Sequence, residues 1–440
     1  MKKIILCLLL AFVFLTGCTE SKEVLKKSSI PKFSVTEDST EVTIYFDVKN
    51  IIATIKPESI RGMNLNNSMQ VAKVVDKALA LKIPTITYPA GNMGDSQDCN
   101  REIDFSLFSL QQSMVNNPFT FVQTRVFGGS VEGAVQSVKN AEKVGIRVDV
   151  WSIGNEPDLY HKAHAPEWTP EYYNKVFREQ VMAMRAYKPD IKVAGPMVSQ
   201  PKDDWILSFI KENGDIVDVL AWHWYPTSGD ASDELALATA PDIVNQIRRY
   251  RKWLKDPATN PKGYKRDIKL ALTEYAIHWN TPNKRHLADM VGAMWLAEVL
   301  GYLAREGIDY SHYFCFGEYG GHSLFEPGNF APRPSYWVFN FYANYIATNM
   351  IDVASSDSKV KVFGFKDNDV YYFIIVNQSQ KNIKKLTLSP LNLEKKLSKL
   401  EGKILTGELK GPKITEIGSN IDGNVLLEVP PYSVTALKVE

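Results

Sequence analysis

The sequence predicts a (β/α)8 barrel carrying an appended C-terminal antiparallel β-sandwich. Three observations predict it. Short apolar, β-branched runs alternate eight times with helix-like segments over roughly 290 residues, the size of such a barrel. After about Asp352 the helical periodicity stops, and strand-like runs follow one another, separated by Gly, Asn, Asp and Pro. A doubly wound open sheet is the alternative for an alternating chain, but no glycine-rich phosphate loop supports it.

Taken in order, the N-terminus reads as an address. Lys2 and Lys3 precede an apolar run from Ile4 to Leu15, too short to span a bilayer and suited to a signal h-region. Leu15-Thr16-Gly17-Cys18 follows and looks like a bacterial lipobox. The expectation is a signal over residues 1–17 and a lipidated Cys18. Residues 18–32, rich in Lys, Ser and Glu, form a tether, and the product is held to the outer membrane or cell surface. Residues 33–50 contain a strand, Glu41–Val48, expected to join the sandwich. Beyond Cys18, Cys99 and Cys315 lie in the folded part, as a disulfide or as two buried thiols.

The barrel is expected over residues 51–350. Its strand candidates are Ser59–Asn64, Thr85–Pro89, Thr120–Phe127, Asp149–Gly154, Lys192–Pro196, Val217–Trp222, Lys269–Glu274 and Tyr310–Phe316. Between them, Tyr173, Phe177, Val181 and Met184 recur at helical spacing, with Thr169 as cap and Pro170 at the first helical position. Leu287 to Arg305 reads as a second long helix. The sandwich is expected over residues 351–440, from Val360–Phe365, Val370–Val376, Ile383–Leu388, Lys403–Leu405, Ile414–Ile417 and Val425–Val429.

Composition narrows the partners. The balance of 51 basic against 50 acidic residues provides no field for nucleic acid. The 9 Trp, 20 Tyr and 20 Phe supply aromatic faces that either fill the core or stack on sugar rings. The oligomeric state is not readable.

The chemistry concentrates where strands end. Trp151-Ser152-Ile153-Gly154-Asn155-Glu156-Pro157 is an apolar strand running into a carboxylate, the fourth of the barrel. Leu270-Ala271-Leu272-Thr273-Glu274-Tyr275 does the same on the seventh, and Ala221-Trp222-His223-Trp224-Tyr225-Pro226 closes the sixth. In a parallel barrel the C-terminal strand ends form the active face. Cleaving a glycosidic bond needs an acid for the leaving oxygen and a group to meet an oxocarbenium-like carbon, and two carboxylates supply both. Asn155 is placed to hydrogen-bond a sugar hydroxyl, Tyr225 to hydrogen-bond the nucleophile, and His223 to tune the pair. Trp224, Trp279, Phe316 and Tyr319 are candidate stacking platforms or core. Asn64, Asn66, Asn92 and Asp95 are loop residues on the same face, as sugar ligands or turn formers. His161, His164 and Glu167 do not share one helix face and read as a solvated loop. Glu318 and Glu326 follow the eighth strand. No metal or cofactor is expected.

These motifs carry a resemblance. Asn155-Glu156-Pro157, His223-Trp224-Tyr225 and Thr273-Glu274-Tyr275, in that order, resemble the paired motifs of the clan A glycoside hydrolases. Tyr88-Pro89-Ala90-Gly91-Asn92-Met93-Gly94-Asp95 and Phe127-Gly128-Gly129-Ser130 are similar to loops of the α-L-arabinofuranosidase-like (family 51) members. Val429-Pro430-Pro431-Tyr432-Ser433-Val434 is similar to their last sandwich strands. Family 39, 44 and 79-like members share this layout. The resemblance implies that Glu156 is the acid/base and Glu274 the nucleophile of a retaining glycosidase. It departs from the family at Ala90, which replaces a glycine, and at Thr87-Tyr88, where an arginine is usual. Both changes fall in the sugar subsite. The resemblance therefore implies a carbohydrate substrate and an arabinofuranosidase-like exo-enzyme. The alternatives are an endo-β-glycanase of the same clan and a non-catalytic surface glycan-binding lipoprotein.

Overall fold

The computed structural model describes residues 28–65, 71–96, 102–163, 165–280, 283–317, 320–408, 411–423 and 425–440. The expected signal and Cys18 lie outside the described residues, as do Asn66, Cys99, His164, Glu318 and Tyr319. Among the described residues no helix is long and apolar enough to cross a membrane.

A long strand, β1 (Glu41–Thr54), comes first. Eight parallel strands then close into a barrel: β2 (Gly62–Asn64), β3 (Thr85–Tyr88), β4 (Phe119–Thr124), β5 (Val150–Ile153), β6 (Val193–Val198), β7 (Val219–Trp224), β8 (Lys269–Tyr275) and β9 (Tyr310–Tyr313). Each coincides with one of the eight predicted runs, with ends within three residues. Helices between them form the outer layer, and local chemistry sets their limits. The helix Pro170–Tyr187 starts where Thr169 accepts a hydrogen bond from the Tyr172 amide, with proline at its first position. Its buried stripe includes Tyr173, Phe177, Val181 and Met184, the predicted periodic face. The helix Met290–Glu306 is capped by Asp289, which accepts from the Val291 and Gly292 amides, and ends at Gly307 in the left-handed conformation.

The remaining strands are β10 (Asn349–Ser355), β11 (Val360–Asp367), β12 (Val370–Asn377), β13 (Lys384–Leu391), β14 (Lys399–Glu408), β15 (Gly411–Asn420), β16 (Val425–Val429) and β17 (Ser433–Val439). With β1 they form one nine-stranded sheet, in the order β15-β14-β17-β12-β11-β10-β1-β13-β16. The sheet curls over its own core: Phe46 on β1 packs edge-on to Phe373 on β12, centroids 5.0 Å apart, although two strands separate them. It is mixed rather than wholly antiparallel, because β1 pairs in parallel with β13. A hairpin forces antiparallel neighbours, whereas these two strands are separated in the chain by the whole barrel and are free to run alike. Strands β10 and β17 have no counterpart among the predicted runs.

The other face of the sheet rests on the helix Met290–Glu306. Phe363 lies over Gly301, where an added Cβ would come within 2.4 Å of the ring. Tyr302 meets Phe363 edge-on at 5.4 Å, and Gln378 donates to Glu298. Glu298 is buried at this seam, and burial pushes its carboxyl up to about 7.

Candidate active site

The strands that end in polar residues deliver them to one cleft of about 620 Å³ at the C-terminal face of the barrel. Irregular pairing aims them. Trp222 on β7 faces Leu272 on β8, but the register then slips, so that His223 faces Glu274. A similar slip on β6 follows Pro196, and the amide of Glu156 donates to the carbonyl of Met197 at 2.9 Å. Such slips re-aim side chains at strand ends. Gly154 takes φ +82, and a Cβ there would press on Val126 at 2.9 Å. Glu156 itself takes φ 45, a left-handed conformation that costs a non-glycine residue roughly 1–3 kcal/mol and is held by its surroundings.

Glu156, His223 and Glu274 meet. Their donor and acceptor atoms all lie within 4.8 Å of one another. His223 Nδ1 is 3.0 Å from Glu156 Oε1 and 3.6 Å from Glu274 Oε2. Tyr225 donates to Glu274 Oε2 at 2.8 Å. Burial pushes Glu274 up to about 7, while the His223 charge and the Tyr225 hydroxyl pull it back. Burial lowers His223, but the Glu274 charge and the hydrogen bond to Glu156 outweigh it and leave the imidazole above its ordinary value.

Asn155 is buried beside Glu156 and donates to Asn92 Oδ1 at 3.2 Å. Its own Oδ1 has no partner among the described residues, nor does His223 Nε2. A buried acceptor without a partner costs free energy that a ligand hydroxyl recovers. Asp95, in the short helix Met93–Ser96 after β3, accepts from Tyr160 at 2.8 Å, and burial pushes it up to about 7.

Some of the predicted residues converge here and others do not. Asn92, Glu156, Tyr225 and Glu274 line the cleft. Trp224 does not: it is buried against Trp295, ring centroids 5.3 Å apart, in the layer between barrel and helices. Alternation along β7 sends His223 inward and Trp224 outward. Trp279 takes the exposed aromatic place instead, lining the cleft with 60% of its surface accessible. Phe316 is core, packed on Phe325. Asn64 ties β2 to its barrel neighbours through the carbonyls of Thr273 and His312. Glu326 is bound by Arg333. His161 and Glu167 join no three-group metal-type cluster among the described residues.

Sequence reasoning missed Phe314, His322, Gln200, Lys162 and Lys202. Phe314 and His322 line the cleft, their rings edge to face at 5.3 Å. Gln200 donates to the Tyr225 carbonyl at 3.1 Å and so fixes the end of β7. Phe314 lies inside the predicted eighth run, Tyr310–Phe316, where inward direction was the missing signal.

The comparisons agree with this geometry. No family model matches the chain. It is 26% identical over 212 residues to inactive heparanase-2 of Mus musculus, covering 46% of this chain and 34% of the relative. It is 22% identical over 290 residues to a beta-xylosidase of Geobacillus stearothermophilus, covering 60% of this chain and 50% of the relative. The matched region thus spans about a third to a half of these curated relatives. Among solved structures, the α-L-arabinofuranosidase from Thermotoga maritima superposes with a TM-score of 0.74 at 16% identity, over 91% of this chain and 100% of that one. The chain therefore has the barrel-plus-sandwich fold of the arabinofuranosidase-like glycosidases, as its strand-end motifs imply.

Proposed function

We propose that the protein is a retaining glycoside hydrolase acting on poly- or oligosaccharide by double displacement. The observation that carries this reading is the pair of carboxylates from strands β5 and β8, with oxygens within 4.8 Å of each other. That gap suits a covalent intermediate; an inverting mechanism needs about 6.5–9.5 Å, to seat a water between the groups.

Glu274 attacks the anomeric carbon, forming an ester bond as the glycosidic C–O bond breaks. Glu156 gives its proton to the leaving oxygen. Glu156 then takes a proton from water, whose oxygen attacks the same carbon and releases Glu274. Tyr225 and His223 stabilise Glu274 as a carboxylate, which burial alone opposes. Asn155 Oδ1 accepts a hydroxyl of the sugar. The fold match favours an arabinofuranosidase-like exo-enzyme, with an endo-β-glycanase as the alternative within the clan. A non-catalytic glycan-binding role is the reading from another class; one similar protein is named as inactive. The intact carboxylate pair weighs against it. The lipobox-like Leu15-Thr16-Gly17-Cys18 supports a lipid anchor in the cell envelope.

The test is a hydrolysis screen of the chain from residue 19 onward on aryl arabinofuranoside, xyloside, glucoside, glucuronide and galactoside and on polysaccharides. Turnover lost in Glu274→Ala and restored there by azide, with an inverted glycosyl azide as product, identifies the nucleophile and the sugar. Glu156→Ala is expected to lose roughly 10²–10⁴-fold, the usual worth of a general acid, and less on aryl substrates with good leaving groups. No turnover, with glycan binding equal in wild type and both variants, would leave only the binding role.

A further inference from the structure

The two walls of the cleft differ in charge. Apart from the two glutamates, the only fully charged side chains lining it among the described residues are Lys162 and Lys202. Both stand on the Glu156 side. Lys162 lies on the short turn Pro157–Ala163 that directly follows Glu156, and Lys202 follows Ser199 and Gln200 beyond the end of β6. The wall around Glu274 carries no lysine or arginine among the described residues: Gly91, whose Cα side faces Phe314 and Glu274, then Asn92, Phe314, Tyr225 and His322.

Chemistry orients these walls. The proton donor must stand beside the leaving oxygen, so the part of the substrate that departs lies against the Glu156 wall. The sugar that becomes bound to Glu274 lies against the wall without lysines. Lys202 is paired at 2.7 Å with Asp158, whose side chain is wholly buried. Lys162 is exposed and has no carboxylate partner among the described residues. The departing group thus meets one unspent ammonium and one shared one.

We infer that the cleft releases a neutral sugar from an acidic neighbour: the leaving-group side takes a residue bearing a carboxylate or sulfate, held by Lys162 and Lys202. This rests on the glycosidase reading above and adds a substrate class to it. Two partly exposed cations give an advantage of a few-fold and one sensitive to salt.

The test uses aryl glycosides of whichever sugar the screen releases. Their leaving groups are matched in pairs: 4-carboxyphenyl against 4-carbamoylphenyl, and 4-sulfophenyl against 4-sulfamoylphenyl. The readout is the ratio of kcat/KM, charged over neutral, within each variant, so that any folding loss cancels. In wild type the ratio is expected at roughly three- to tenfold at low salt, falling toward one at about 0.5 M NaCl as screening shortens to a few ångströms. Lys162→Glu is expected to bring it below one. The pair with the larger ratio distinguishes uronate from sulfate as the natural source. A ratio of one in both pairs, unchanged by Lys162→Glu or salt, overturns this inference and leaves the glycosidase standing. Failure to cleave any glycoside overturns the glycosidase reading, and this inference with it.

Discussion

Tyr225 is the residue on which the acid–base balance of the site turns. Its hydroxyl donates to Glu274, stabilising the charged form of a carboxyl that burial has pushed up to about 7. Glu274 must be ionised to attack. Activity is therefore expected to be lost as pH falls through about 7, on a limb that belongs to the Glu156–His223–Glu274 cluster as a whole. Tyr225→Phe removes a stabiliser of the anion, so its acid limb should move to higher pH. A kcat/KM profile of the two proteins checks this; an unmoved or downward-moved limb would show that the hydroxyl does not act on Glu274. A chelator is expected to leave activity unchanged, since every step is assigned to carboxylates. Loss with EDTA and recovery with a divalent ion would instead make Glu156, His223 and Glu274 a metal centre, which their spacing permits.

At the scale of elements, strand ends and helix faces carried different amounts of information. Glu156 and Glu274 were legible because each terminates an apolar run, and a parallel barrel puts such ends on one face. The direction of a side chain there was not legible. The sequence offers Trp224 as a sugar platform or as core, and the register slip between Trp222 and His223 and the alternation of β7 bury it against Trp295. A slip is set by hydrogen bonds to neighbouring strands, which no local pattern records. Strand β10 was missed because the change in texture was placed inside it, at Asp352. Helix Met290–Glu306 supplies an element-scale prediction. Alanine usually stabilises a helix relative to glycine by about 1 kcal/mol. At Gly301 the added methyl would strike Phe363, so Gly301→Ala should destabilise by roughly 1–3 kcal/mol, measured by urea unfolding. A gain in stability would mean that the sheet yields to the helix without cost.

For the whole molecule, barrel and sheet are bound into one unit by two kinds of contact. The sheet lies on the barrel's helix through Phe363, Tyr302 and Gln378. It also contains β1, which precedes the barrel in sequence. Removing residues 33–54 would bare the flanks of β10 and β13 and strip Val42, Ile44 and Phe46 from the sheet's core. That variant is expected to be insoluble or to lose cooperative unfolding, although it keeps every barrel strand. A soluble, active product would show that the barrel stands alone. The broad architecture was readable because two texture changes along the chain mark it. The mixed pairing of β1 was not, since it joins segments more than three hundred residues apart, and closing such a loop leaves no local trace.

That pairing also has a consequence in time. Strand β1 is made before the barrel, and its two neighbours, β10 and β13, only after it. While the barrel segments emerge, β1 has nothing to pair with and its apolar face stays open. Completion of the sheet is thus deferred until nearly all of the polypeptide has been synthesised, and contacts of such long range form slowly. A chain woven in this way is slow to lock, because β1 waits, unpaired, for partners that lie beyond the whole barrel.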